Sequence, residues 1–303
     1  MGRPVGVAGR YGDRMLPQAP GRRAAAAVML VAICGCGSPS PVPVLPTPSA
    51  TVAVAPTGAA DAAQPVRVAI IVMENRSYEQ VLTLPYLSTL ATTATVLSDY
   101  HAAGHPSLPN YLALTSGTTW GITDDGYHAL PRQDLGDQLS AAGIPWRAYM
   151  EGLGSDCREN RGAYAVKHDP FAYYGGQCPA AVVPLTALSA DLASPAVPRL
   201  MWITPDLCHD MHDCSAGVGD SWLSMTVPTL LAAPAMSNGV LLITWDENDG
   251  GGDNHVLTVV LGSRRPVAPS ASYTHASLLA TVQDLLGVAR LPATRGVDAI
   301  PLR

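Results

Sequence analysis

The chain has 303 residues, 48% of them apolar and only 14% charged, with 28 glycines and 27 prolines. That content is ample for a buried core and excludes wholesale disorder. A net charge of −6 excludes a nucleic acid as the main partner, because such proteins carry a basic surplus.

Residues 1–23 hold five arginines and one acid, and residues 24–33 form an apolar run. Ten helical residues rise about 15 Å, half of a hydrocarbon layer, so the run is too short to span a membrane and reads as an export signal. Met15 is an alternative start with a shorter basic region. Small residues precede Cys36, as in a bacterial lipoprotein signal, so Cys36 is the expected lipid anchor to a membrane; plain cleavage and release is the alternative. Residues 1–35 are therefore expected to be a signal. Residues 36–65, rich in Pro, Ala, Ser and Thr, are expected to be a linker, and 66–303 one domain. Losing five arginines and one acid with residues 1–35 would leave the remainder near −10, so any phosphate needs a local positive site.

With Cys34 leaving in the signal and Cys36 taking lipid or leaving too, four cysteines remain: Cys157, Cys178, Cys208 and Cys214. An even number in an exported chain predicts two disulfides, and proximity favours Cys157–Cys178 and Cys208–Cys214. Zinc is the alternative, without C-x-x-C spacing to support it.

Continuous apolar runs at 66–73 (VRVAIIVM), 198–204 (PRLMWIT), 240–245 (VLLITW) and 256–261 (VLTVVL) predict strands covered on both faces. Helical patterns lie at 135–142, ended by Gly143, at 222–233, disturbed by Pro228, and at 275–286. The alternation predicts an α/β three-layer sandwich around a mostly parallel sheet, with ligands beyond the carboxyl ends of the strands.

The polar residues cluster where that rule puts them. Glu74-Asn75 follows the first run, and both side chains offer oxygen to a hard cation; a helix cap is the alternative. In His105-Pro106-Ser107-Leu108-Pro109-Asn110 two prolines pin the backbone around one hydroxyl, which needs a base or metal to become a nucleophile; a plain proline-rich turn is the alternative. No G-x-S-x-G elbow is present, which leaves a hydrolase triad without support. Asp206, His209, Asp210, His212 and Asp213 lie in one loop after the second run, as metal ligands, as leaving-group acids, or as a solvated surface. Asp246-Glu247 follow the third run. Adjacent carboxylates there repel unless a cation sits between them, and the spacing is not that of an EF-hand. Gly219-Asp220-Ser221-Trp222 superficially resembles an esterase nucleophile block but lies too late in the chain, and is expected to start a helix with Asp220 or Ser221 as its cap.

Taken in order, V-M-E-N-R-S-Y (72–78), H-P-S-L-P-N-Y-L-A-L (105–114), K-H-D-P-F (167–171), P-D-L-C-H-D-M-H-D (205–213), G-D-S-W-L (219–223) and T-W-D-E-N-D-G (244–250) resemble the bacterial phosphoesterase family of acid phosphatases and non-haemolytic phospholipases C. The likeness is greatest to the compact secreted acid phosphatases of mycobacterial type, which act on phosphatidylinositol 3-phosphate among other monoesters. The resemblance implies an alkaline-phosphatase-like fold and a divalent cation (Ca²⁺, Mg²⁺ or Mn²⁺) on Glu74, Asn75, Ser107, Asp246 and Glu247. It also implies Ser107 as nucleophile, Asn110 on the phosphate, and His209, His212 and His275 lining the pocket or assisting the leaving group. Lys167 and His168 in the K-H-D-P-F block are expected to bind substrate, and Asp210 to orient a histidine acid. The expected protein is a monomeric, exported phosphomonoesterase acting on a phosphate ester, in the extreme a phospholipid. A phospholipase C-type phosphodiesterase and a non-catalytic surface lipoprotein are the alternatives.

Overall fold

The computed structural model describes residues 65–303. The expected signal, Cys36 and the linker up to residue 64 lie outside the described residues. The strands are β1 Arg67–Met73, β2 Thr95–Leu97, β3 Tyr100–His101, β4 Trp146–Met150, β5 Val182–Pro184, β6 Leu200–Thr204, β7 Gly239–Trp245, β8 Thr258–Gly262 and β9 Tyr273–Thr274. The α-helices are α1 Tyr78–Leu82, α2 Pro85–Ala91, α3 Ser107–Ser116, α4 Leu135–Ala141, α5 Leu188–Leu192, α6 Ala216–Ala232 and α7 His275–Leu286.

Seven strands form one sheet in the order β2-β8-β7-β1-β6-β4-β5. The run β7-β1-β6-β4-β5 is parallel, and β8 is antiparallel to both β7 and β2. Every residue of β1, β6 and β7 is buried, which is why these segments read as unbroken apolar runs rather than as alternating patterns. Helix α7 packs on β1 and against α3, while α2 and α6 pack together. The fold is α/β, a mostly parallel central sheet with helices around it. No helix among the described residues is long and apolar enough to cross a membrane.

Two elements depart from the sequence reading. Helix α6 begins at Ala216 with Ser215 as its N-cap and runs through Pro228. Burial of Leu223, Val227 and Leu230 against the core outweighs the one N–H that proline removes. Asp220 is therefore not the cap of its own helix. It lies inside α6, and its carboxylate accepts from Tyr86 N (2.9 Å) and Leu87 N (3.0 Å), capping the first turn of α2 instead. The segment after His105 is a helix, α3, every residue of which is buried. Pro109 is tolerated there because it falls in the first turn, where N–H groups have no intrahelical partner.

Candidate active site

Register places the acids. Strands β1 and β7 pair in parallel with Met73 opposite Trp245, so the next residue of each, Glu74 and Asp246, emerge side by side at the carboxyl edge. The backbone locks this arrangement, because Asp246 N donates to Met73 O (2.9 Å) and Asn75 N to Asp246 Oδ1 (3.2 Å). Asn75 takes a left-handed φ of 48°, a conformation that asparagine tolerates better than most residues. On the other flank of β1 the loop after β6 returns to the same edge, where Glu74 N donates to Asp210 O (2.9 Å).

Ser107 opens α3, and its hydroxyl lies 3.2 Å from Glu74 Oε2 and 3.4 Å from Glu247 Oε1. The serine is thus set among carboxylates at a helix N-terminus, where the dipole favours negative charge. Glu74, Asp246 and Glu247 are all buried. Burial, partly offset by His168, pushes Glu74 up to about 7. Burial and then the neighbouring Glu74 and Glu247 charges hold Asp246 well above the usual carboxylate range, and burial raises Glu247. Glu74 Oε1 and Asp246 Oδ2 are buried without a hydrogen-bond partner. Mutually repelling carboxylates with open lone pairs fit a hard divalent cation, which this chemistry favours over soft metals.

His168, also buried, bonds Asp210 Oδ2 through Nδ1 (3.0 Å), and its Nε2 lies 3.1 Å from Glu74 Oε1. Burial depresses this imidazole to about 4, whereas burial raises Asp210 to about 8. At that edge Glu74 Oε1 and His168 Nε2 face each other out of line for a hydrogen bond. His212 completes a group with these two whose ligand atoms all lie within 4.8 Å of one another. His212 itself bonds Asp213 Oδ1 through Nδ1 (2.7 Å), and its Nε2 meets Lys167 Nζ at 3.1 Å. Lys167 also pairs with Asp125 Oδ2 at 3.0 Å.

The other expected residues brace the site or lie apart from it. The Asn110 side chain holds the loop before α3 and also reaches Glu247 Oε2 from Nδ2 at 3.5 Å. Its Oδ1 accepts from Ala103 N (2.9 Å) and Gly104 N (3.0 Å), and its Nδ2 donates to Gly104 O (2.8 Å) and Pro106 O (3.1 Å). It holds the turn that aims Ser107. His275 is buried beneath the site, with Nε2 2.6 Å from Asp246 O and Nδ1 3.0 Å from Tyr100 OH; burial depresses it to about 4. It supports the Asp246 backbone. His209 bonds Glu151 Oε2 (3.0 Å) and lies 3.4 Å from Asp206 Oδ1, in a cluster separate from that of Ser107. Asp210 orients His168, and Asp213 orients His212.

Sequence reasoning passed over three neighbours. His105 Nδ1 lies 2.5 Å from Glu247 Oε2, although it stands two residues before Ser107 in a segment already singled out. Arg76 lines the cleft over Glu247 with Asn75, His105 and His212, a cavity of about 350 Å³, and anchors its guanidinium on Asn75 O (2.8 Å) and Cys214 O (3.1 Å). Asp125 accepts from Leu108 N (3.0 Å); it follows Asp124 in a loop with no apolar run before it to mark a strand end.

Both disulfides form, Cys157–Cys178 and Cys208–Cys214. The second closes six residues around Asp210 and His212. Opening it in a Cys208→Ser/Cys214→Ser variant is expected to cost about 2 kcal/mol in urea unfolding and to lower kcat/KM about tenfold, because both groups lose their anchor. Gly219 of α6 approaches this loop so closely that a Cβ there would overlap Met211 and lie 2.8 Å from His209 O.

The fold is that of the alkaline phosphatase superfamily. A Vibrio parahaemolyticus member of that superfamily superposes with a TM-score of 0.53 at 12% identity, over 75% of this chain and 68% of its own. A Bacteroides thetaiotaomicron protein described as a putative sulfatase superposes with 0.56 at 12% identity, over 78% and 74%. The Phosphoesterase family profile matches residues 80–289, and the chain belongs to this family of phosphoric ester hydrolases. It is 32% identical over 248 residues to a phosphatidylinositol-3-phosphatase of Mycobacterium tuberculosis, covering 78% of this chain and 82% of that protein. It is 28% identical to an acid phosphatase of Aspergillus fumigatus, over 72% of this chain but only 54% of that protein's length.

Proposed function

We propose that this protein is a phosphomonoesterase of acid-phosphatase type in which Ser107 is the nucleophile. The observation that carries the reading is the Ser107 hydroxyl at the start of α3, within 3.4 Å of two buried carboxylates and beneath a cleft walled by Arg76 and His105. Ser107 Oγ attacks phosphorus in line and its proton passes to Glu74 Oε2. Arg76, His105 and the N-terminus of α3 bind the phosphate oxygens. The bond from phosphorus to the alcohol oxygen breaks, and that oxygen takes a proton from the hydrogen-bonded pair of Lys167 Nζ and His212 Nε2 (3.1 Å), which Asp213 orients through His212 Nδ1. Water then attacks the phosphoserine, giving one proton back to the Lys167–His212 pair, and the departing Ser107 oxygen regains its own proton from Glu74 Oε2. A divalent cation held by Glu74, Asn75, Ser107, Asp246 and Glu247 would supply positive charge against the three carboxylates and the phosphate.

The relative named a phosphatidylinositol-3-phosphatase supports a phosphoinositide monoester as substrate. The two disulfides support export to an oxidising compartment, and attachment through Cys36 would bring the site to a membrane. The purified chain is expected to release phosphate from p-nitrophenyl phosphate and from phosphatidylinositol 3-phosphate vesicles, to leave bis(p-nitrophenyl) phosphate intact, and to lose activity in chelator. Cleavage of the diester at a comparable rate would replace this reading with a phosphodiesterase.

A further inference from the structure

A second cleft, of about 500 Å³, adjoins the first, and His212 lines both. The two hollows therefore meet at the residue placed to protonate the departing alcohol. Their walls differ in kind. The first presents charged and amide groups over Glu247, whereas the second presents tyrosine rings and short apolar side chains beside Lys167 and Asp213. Its volume lies within the range of small-molecule pockets.

Tyr127 is the salient group of that wall. It is 45% exposed, one of few large apolar side chains so placed among the described residues. Tyr173 stacks against it with ring centroids 5.2 Å apart and 26° between planes, and its hydroxyl is tied to Ala172 O (3.2 Å). The ring is thus held rigid at the surface with nothing in the fold to cover it, which is the arrangement of a stacking platform. Most of the remaining wall, including Arg158, Asn160 and Tyr164, comes from the loop that Cys157–Cys178 closes. Arg158 is itself neutralised by Asp156, at 2.7 Å, so the wall does not call for a second anion.

We propose that this second cleft is the leaving-group subsite, which receives the ring of a ring-bearing alcohol against Tyr127 while the phosphate lies over Ser107. The proposal rests on the phosphomonoesterase reading of Ser107. It makes Tyr127 a specificity-determining residue: its ring adds affinity for the alcohol half equally in ground and transition states, and so acts on KM rather than on kcat.

The test compares p-nitrophenyl phosphate, which carries a ring, with glycerol 2-phosphate, which does not, in wild-type, Tyr127→Ala and Tyr127→Phe enzymes. Tyr127→Ala is expected to raise KM for the aryl ester about fivefold with kcat within about twofold, and to lower the preference for aryl ester over glycerol ester by the same factor. Tyr127→Phe is expected to restore that preference, since it keeps the ring and drops only the hydroxyl. An equal loss on both esters, or no change on either, would overturn the subsite while leaving the phosphatase intact. Failure of the wild-type enzyme on both esters would remove the phosphatase reading and the subsite with it.

Discussion

Ser107→Ala is expected to abolish phosphate release from p-nitrophenyl phosphate, with a loss of at least about a thousandfold, while the fold survives. The side chain is buried, and its hydroxyl makes only two contacts, both longer than 3 Å and both to carboxylates. Removing one oxygen leaves no orphaned donor, because carboxylates only accept. Alanine also suits the first turn of a helix. The thermal midpoint should therefore stay within a few degrees of wild type, and a circular dichroism melt beside the assay separates chemistry from folding. Activity within tenfold of wild type in a folded Ser107→Ala protein would end the assignment of this serine.

Asp246→Asn is expected to move activity and stability in opposite directions. Activity should fall at least about a hundredfold, because the proposed cation would lose a charged ligand and the phosphate the positive charge opposite it. The metal-free protein should become more stable, by about 1 kcal/mol or more at pH 8. The reason is the raised carboxylate: in the folded chain Asp246 sits well above the 3.8 of a free aspartate, through burial and then through Glu74 and Glu247. A raised acid favours the folded state fully below the unfolded pKa and loses that contribution as pH rises through the folded value. The advantage of the amide should therefore vanish near pH 3.5 and grow toward alkaline pH. The amide oxygen still accepts from Asn75 N, which now lies 3.2 Å from Asp246 Oδ1, so the turn is kept. Melts of both chelated proteins from pH 4 to 8 read the effect, and a metal-induced rise in midpoint seen for wild type and lost in the variant ties it to the cation. A less stable Asp246→Asn protein at pH 8 would show that the carboxylates are not in repulsion.

Much of this arrangement was legible in sequence because the central strands are buried on both faces and the ligands follow them directly. VRVAIIVM, PRLMWIT and VLLITW mark β1, β6 and β7; the residues just beyond β1 and β7 meet at the edge, and Asp210, six residues past β6, joins them there. The short outer strands left no comparable trace: β2 and β5 have three residues each, and only β4 had the length to be found. Helix α3 was hidden by its two prolines, which signal a turn unless one knows that Pro109 falls where no N–H is required. The loop after β6 drew attention in sequence, but the partners of its residues did not. His209, Asp210 and His212 lie within four positions, yet backbone turns send His209 to Glu151, Asp210 to His168, and His212 to Lys167. Such partners, dozens of residues away, are set by tertiary packing and carry no local pattern. Asn110 and His275 likewise bond the loop and backbone around the site, with Asn110 reaching Glu247 and His275 the Asp246 carbonyl, partners that residue type alone does not reveal.

The pairing of Met73 with Trp245 carries one more consequence. Glu74 and Asp246, on which the proposed chemistry depends, are not held by a movable flap; their spacing is a property of the innermost ladder, the last region of an α/β domain to open. Fraying of the outer loops would alter who enters and leaves, but the gap between the charged groups would stay as it is until the whole domain melts. Catalytic competence and the folded state should accordingly disappear together on heating, in a single step.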